Sequence, residues 1–223
     1  MSDTTFDLIT FDCYGTLIDW EQGIITAFQR EATRLGAALD ANAIIAAYHA
    51  EELAVESESY LTYRDVLKET SQRAAARLGL SIEPEHATFL AESLPHWQPF
   101  ADTNQALERL AQRYSLGILS NVDDDLLALT RRHFPVDFDV IVTAQQVDSY
   151  KPAHGHFIEA RRRAPEARWL HAAQSYFHDV VPARALNISV AWVNRKQEQA
   201  DEGGPLPDIE VSNLDELANR LGV

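Results

Sequence analysis

Asp12 is followed four residues later by Thr16, just past a short aromatic and β-branched run. Ser120-Asn121, Lys151-Pro152 and the pair Ser175 and Asp179 stand just past three later apolar runs. If those runs are strands of one parallel sheet, all of these residues gather at its carboxyl edge, where open α/β sheets bind ligands. A carboxylate, a lysine, small hydroxyls, an amide and a second carboxylate in one crevice suit nucleophilic chemistry. A carboxylate is a sound nucleophile when a nearby cation keeps it ionised and hydroxyl or amide donors orient it without protonating it. Lys151 is the cation of this set. Attack by Asp12 would form an ester, and water positioned by Asp179 would then release the product and restore Asp12.

The elements that must position these residues can be read from periodicity. Phe6 to Phe11 predicts a buried strand that ends at Asp12, with a turn at Gly15-Thr16. From Trp20 to about His96 the pattern is helical: Ile24, Phe28 and Leu35 share a face, as do Ile44, Ile45 and Tyr48, and then Val66, Leu67 and Leu78. Pro95 and Pro99 bracket Trp97 in a stiff return linker. Beyond it, helix and strand alternate. Asp102-Thr103 can cap a helix carrying Ala106, Leu107 and Leu110, ahead of a strand Leu116 to Leu119. A helix around Leu126 to His133 precedes the strand Val140 to Val142. One around Phe157 to Arg163 precedes Trp169 to Ala173, and one around Pro182 to Leu186 precedes Val190 to Val193. A short strand Ile209 to Val211 and a helix capped by Asn213, with Glu216 at the capping-box position, close the chain. Strands separated by helices need crossover connections, so the expected fold is α/β, a doubly wound parallel sheet (a Rossmann-like core) with an inserted helical cap domain. The boundaries fall at 1–18 and 98–223 for the core and at 19–97 for the cap.

Composition narrows the function classes. Nineteen Lys and Arg against thirty-four Asp and Glu give a net charge of −15, so the phosphate-neutralising surface needed for nucleic acid is missing. An anionic substrate would need the local positive field that Lys151 supplies. Met1 to Asp7 carry no basic or apolar leader, and no run approaches the roughly eighteen apolar residues of a membrane span. One cysteine, Cys13, excludes an internal disulfide and any Cys-cluster metal site and fits a reducing cytoplasm.

Phe11-Asp12-Cys13-Tyr14-Gly15-Thr16-Leu17, Ser120-Asn121, Tyr150-Lys151-Pro152 and the loop to Asp179 together resemble the haloacid dehalogenase superfamily. Phosphatases of that superfamily carry Asp-x-Asp, the second Asp protonating the leaving alcohol, and hold magnesium with an acid four residues before the last loop carboxylate. Here those positions are Tyr14 and Ser175. Both departures match the L-2-haloacid dehalogenase (type II) branch, whose motif reads Asp-x-Tyr-Gly-Thr, and the likeness covers nearly the whole chain. The chemistry is consistent, because a halide leaves as a stable anion and needs neither a proton nor a metal. The resemblance implies a hydrolase of short 2-haloalkanoic acids with no cofactor and no metal, acting on a small anionic carboxylate, in a branch whose members are often homodimers. It implies Asp12 as nucleophile, Thr16, Ser120 and Lys151 as the residues that hold it, and Ser175 and Asp179 as the loop supporting Lys151 and the hydrolytic water. Tyr14, Asn121, His49, Phe177 and His178 fall among the substrate or halide contacts.

The chain departs from the branch where substrate is chosen. His49 aligns with the cap arginine that grips halide, with Arg64 as an alternative cation, and Phe157 replaces a tyrosine. The last loop reads Gln174-Ser175-Tyr176-Phe177-His178-Asp179 instead of carrying Ser-x-Asn. A hydrolase of another small carboxylate electrophile, a magnesium phosphatase and a binding module with a relic site stand as alternatives. Among other residues, Cys13 reads as packing, Asp123-Asp124-Asp125 as first-turn acids of a helix, and His154 and His156 as surface residues of a loop. Trp97, Phe100 and Trp192 read as core or interface. His49 and His178 are open between a polar contact in the active cavity and no role there.

Overall fold

The structure, a computed structural model, describes residues 6–58 and 60–223; the first five residues of the expected leaderless N-terminus lie outside them. Two compact units emerge: residues 1–18, 99–121 and 132–223 form one, and residues 19–98 and 122–131 the other.

The second unit is helical, with α1 (Trp20–Arg34), α2 (Ala41–Glu58), α3 (Tyr63–Arg77) and α4 (Phe89–Ser93) in sequence. On α1 the buried residues are Ile24, Ala27, Phe28, Glu31 and Ala32, spaced as one face of a helix. Leu35, expected on that face, is the C-cap residue and is exposed. Gly23 lies in the middle of α1 because a Cβ there would stand 2.4 Å from Cγ of buried Trp97. Trp97 is fixed in turn by its indole N–H, which donates to Ser93 Oγ at 2.9 Å. On α2, Tyr48, Glu52 and Glu56 are spaced to share a face, and the Tyr48 hydroxyl donates to Glu52 at 2.6 Å. Burial raises both carboxyls, and the neighbouring Glu52 helps push Glu56 up to about 8.

Residues 122–131, which the sequence reading leaves with the sheet, pack with this unit. Their helix, here labelled α6 (Asp124–Thr130), lies against the 3-10 turn Leu94–His96. Asp123 explains part of the attachment. Its carboxylate makes no bond to its own helix but accepts the backbone N–H groups of Tyr63 and Arg64, both at 2.9 Å. It therefore satisfies the open first turn of α3, a capping role exerted from another segment.

The first unit is the α/β core. Its strands β1 (Leu8–Phe11), β2 (Ser115–Ser120), β3 (Val140–Thr143), β4 (Trp169–Ala173), β5 (Ser189–Val193) and β6 (Ile209–Val211) form a single sheet in the order β3-β2-β1-β4-β5-β6. All five pairings are parallel. Such strands are buried on both faces and read as continuous apolar runs, as the buried segments LITF of β1 and WLHAA of β4 do. The helices α8 (Gly155–Arg163) and α9 (Val181–Ala185) share a core with the sheet that includes Leu8, Val140, Phe157, Ala183 and Trp192. The helices α5 (Thr103–Ala111) and α10 (Leu214–Arg220) pack on each other and on β2 and β5 respectively, and the short α7 (Ala144–Val147) follows β3 directly.

Two local features depart from expectation. The last helix before β5 starts at Val181 and is preceded by a π-helical turn, Tyr176–Val180, in which Asp179 is buried. Asp102 is the N-cap residue of α5 but does not bond its own helix. Its carboxylate pairs with Arg195 at 2.9 and 3.0 Å and accepts the N–H of Leu214, the first residue of α10, at 2.8 Å. The strand order reverses direction between β1 and β4, so their carboxyl ends open the crevice in which this fold class places its chemistry.

Candidate active site

Asp12 leaves β1 with its N–H still donating to Ala172 O on β4 at 3.1 Å, so the strand ladder itself aims the residue into that crevice. The chain then turns tightly, with the N–H groups of Leu17 and Ile18 both donating to Cys13 O. Gly15 sits in this turn at φ 101°, a conformation that side chains rarely tolerate. The turn brings Thr16 back to Asp12: its hydroxyl donates to Asp12 Oδ2 at 2.9 Å and accepts the N–H of Gln174 at 2.8 Å.

Lys151 enters from the loop after α7, its peptide bond to Pro152 being cis. The Asn121 amide brackets its backbone, accepting Lys151 N–H at 2.7 Å and donating to Lys151 O at 3.1 Å. All three ammonium protons are used: Nζ donates to Asp12 Oδ1 at 2.9 Å, to Asp179 Oδ1 at 2.6 Å and to Leu119 O at 2.9 Å. The lysine and Asp179 side chains are each 1% exposed and that of Asp12 is 10%, so Asp12 is the member of the trio that opens outward.

One ammonium between two buried carboxylates sets them apart electrostatically. Burial raises the Asp12 carboxyl, and Lys151 and Thr16 offset this only in part. Burial also raises Asp179, but Lys151 and His171 outweigh it and hold this carboxyl well below the usual range. Burial lowers Lys151, and the two carboxylates more than restore it, so it stays charged. Asp12 is therefore the more basic carboxylate, and Asp179 stays ionised in the resting site, a division of the kind that separates catalytic roles.

The other expected residues fall into place as follows. The Ser120 hydroxyl is fully buried with no hydrogen-bond partner. Ser175 caps the π-helical turn, its Oγ accepting His178 N–H at 3.1 Å and lying 3.0 Å from His178 Nδ1. Neither Ser120 Oγ nor Ser175 Oγ bonds Lys151 or Asp12. Burial lowers the half-buried His178 imidazole, and Lys151 adds to the effect. Phe177 is exposed and stands edge-on to the His178 ring at 5.0 Å. Tyr14 is half-buried and pairs with Ile18 in a short bridge. His49 and Arg64 belong to the helical unit, where His49 Nε2 lies 3.8 Å from Glu21 and Arg64 donates to Asp125 at 2.6 Å.

His156, read as a surface residue, is fully buried, and its Nε2–H donates to Ser120 O at 3.1 Å. Burial pushes the imidazole down to about 3, so it stays neutral under Ser120. Cys13 is buried and its thiol is pushed well up, so it offers no thiolate at neutral pH. Among the described residues, no group of three or more His, Cys, Asp or Glu side chains is arranged to hold a metal ion, and no helix is long and apolar enough to cross a membrane.

Two contributors lie outside the expected set. His171, inside β4, lies 3.0 Å from Asp179 Oδ1 through Nε2. The signal for it is a histidine in an otherwise apolar strand run, since a buried polar group must find a partner. Arg195 follows β5, where the same strand-end rule could have found it. Its Nε and Nη2 donate to Thr16 O at 3.3 and 2.9 Å, and its guanidinium stacks 4.0 Å over the Phe100 ring.

A turn bearing a carboxylate after β1, a lysine after β3 and an acidic loop after β4 meet at the carboxyl edge of a doubly wound sheet. The haloacid dehalogenase-like hydrolase model matches residues 6–168, and the chain belongs to that family. It is 27% identical over 223 residues to an (S)-2-haloacid dehalogenase of Pseudomonas putida, covering 96% of this chain and 95% of the relative. An (S)-2-haloacid dehalogenase of Pseudomonas fluorescens is 28% identical over 167 residues, 73% of each chain. The fold superposes on the L-2-haloacid dehalogenase of Xanthobacter autotrophicus with chloropropionic acid covalently bound, at a TM-score of 0.83 and 19% identity over 96% of this chain and 98% of that one.

Proposed function

We propose that this protein is a hydrolytic dehalogenase of short (S)-2-haloalkanoic acids with Asp12 as its nucleophile. The observation that carries the reading is the Asp12–Lys151–Asp179 cluster, in which the more basic and more open carboxylate is oriented by Thr16 and by a lysine shared with a second carboxylate that is ionised in the resting site. Near end-to-end likeness to (S)-2-haloacid dehalogenases supports it.

In the first step a carboxylate oxygen of Asp12 attacks the carbon that bears the halogen. A carbon–oxygen bond forms, the carbon–halogen bond breaks, and the halide departs with the electron pair. Since the halide is a stable anion, no proton is delivered to it. Esterification removes the charge of Asp12, leaving the Lys151 ammonium matched one to one by Asp179. In the second step water attacks the Asp12 ester carbonyl and gives a proton to Asp179. The carbon–oxygen bond between Cγ and the substrate oxygen breaks and the departing hydroxy acid takes up that proton; the second proton of the water, left on the new Asp12 carboxyl group, passes to solvent, and Asp12 returns as a carboxylate. We assign substrate-carboxylate contact to Ser120 and the loop bearing His178, because the Ser120 hydroxyl is buried and unpartnered.

The test is halide release from chloroacetate and from each enantiomer of 2-chloropropionate, in EDTA, with Asp12→Asn in parallel. Release confined to the (S)-enantiomer among the propionates, unchanged by EDTA and at least about a thousandfold weaker in the variant, is expected. A folded wild-type protein that releases no halide from any of them overturns the reading.

A further inference from the structure

Thr10 and His171 are directly opposed in the β1–β4 register, on the sheet face where Phe157 meets the His171 ring edge-on at 5.1 Å. Both are fully buried. The Trp169 indole N–H donates to Thr10 Oγ1 at 2.6 Å, Thr10 Oγ1 lies 2.8 Å from His171 Nδ1, and His171 Nε2 lies 3.0 Å from Asp179 Oδ1. These bonds run in one direction. The indole can only donate, so Thr10 accepts from it and has its own proton left to give to Nδ1. A carboxylate can only accept, so Nε2 carries the ring proton. The opposite tautomer would leave Asp179 Oδ1 facing a lone pair and the Thr10 proton without this acceptor.

Asp179 Oδ1 thus receives two donors, Lys151 and His171, while Oδ2 is buried and has no hydrogen-bond partner. We propose that His171 is a positioning residue for the second half of the reaction: locked by Thr10 and Trp169, it clamps Asp179 through one oxygen and presents the other to the hydrolytic water. The inference rests on the dehalogenase reading. It does not extend to the first step, because Asp12 is oriented by Thr16 and Lys151, neither of which bonds His171. A clamped carboxylate accepts the water proton from a fixed direction, whereas one held by Lys151 alone can swing about that single bond.

The experiment separates the two steps. Wild type, His171→Leu, His171→Gln and Thr10→Val are mixed with excess (S)-2-chloropropionate, halide is followed in the first turnover, and the esterified enzyme is followed by intact mass. His171→Leu removes the donor and is expected to release its first equivalent of halide within about threefold of the wild-type rate, then to hydrolyse the ester at least about tenfold more slowly, so that the adduct accumulates. His171→Gln keeps a donor and an acceptor and is expected within about threefold of wild type in both steps. Thr10→Val, which preserves shape and frees the ring, is expected to show the hydrolytic defect in weaker form, so the inference does not hang on one buried substitution. Equal slowing of both steps in His171→Leu, or a His171→Gln as slow in hydrolysis as His171→Leu, overturns the inference while the dehalogenase reading stands. A wild type that releases no halide overturns both.

Discussion

Asn121 holds Lys151 by its backbone and not by its ammonium: the amide oxygen accepts Lys151 N–H at 2.7 Å and the amide nitrogen donates to Lys151 O at 3.1 Å. A side chain that brackets one residue in this way fixes where its Cα sits. It leaves the four-carbon stem to reach back under β2 to Leu119 O, Asp12 and Asp179. The amide contact expected at halide is thereby spent largely on placing the cation.

Replacing that cation should cost stability as well as activity. Lys151→Met leaves two buried carboxylates without their shared partner, and loss of one member of a buried ion pair costs about 3–5 kcal/mol. For a chain of this length the melting temperature should drop by roughly 10 °C at neutral pH. Since protonating either carboxylate relieves the repulsion, the gap from wild type should narrow as pH is lowered. Parallel thermal melts at pH 7.5 and 5.5 check both parts, and a variant as stable as wild type at pH 7.5 contradicts the assignment.

Arg195 ties the catalytic turn to α5 and α10 through Thr16 O and Asp102. Lysine keeps the charge but cannot fork between a carbonyl and a carboxylate or stack flat on Phe100. Arg195→Lys should lower stability by about 1–2 kcal/mol and lower kcat about tenfold through the loosened Thr16. Urea titration and initial rates measure the two effects, and an unchanged kcat would show that the turn holds itself.

Gly23→Ala should destabilise, against the usual gain of about 0.5–1 kcal/mol for glycine to alanine within a helix. The new methyl would enter the Trp97 indole, 2.4 Å from Cγ, and overpacking of this kind costs about 1–3 kcal/mol. A higher melting temperature for the variant would contradict the packing described.

Glu56, with its carboxyl pushed up to about 8 by burial and Glu52, binds a proton in the folded state that the unfolded chain has lost above the ordinary glutamate range. Its contribution to stability is therefore fully present below about pH 4.5 and is lost as pH rises to about 8. Glu56→Gln should flatten that part of the profile and raise the melting temperature most at pH 8 to 9. Melts of both proteins across pH 5 to 9 decide it, and parallel curves would sink the assignment.

Asp12, Lys151 and Asp179 were legible because a parallel sheet places strand ends at one edge, and period and turn residues mark where strands end. Thr16 was legible for the same reason. Asp102 and Asp123 show where such reading stops. Each stands at the start of a helix and reads as its cap, yet each satisfies another segment's open first turn. A carboxylate can serve any free N–H within reach, and only tertiary packing decides which. His171 stands out as a polar residue in an apolar strand, but its partner does not, since in a strand buried on both faces periodicity assigns no side to a polar residue. The π-helical turn at Tyr176–Val180 has no period of its own to announce it.

The strand order also governs how the protein comes to exist. β1 is central and precedes the other five strands of the sheet, but its neighbour β4 lies 161 residues away at the Thr10–His171 contact. Closing so long a loop is slow, and β1 keeps an unpaired edge of apolar backbone until β4 has been made. Asp12 thus emerges with the earliest strand of the sheet and waits for the loop after β4 before its cluster with Lys151 and Asp179 can form.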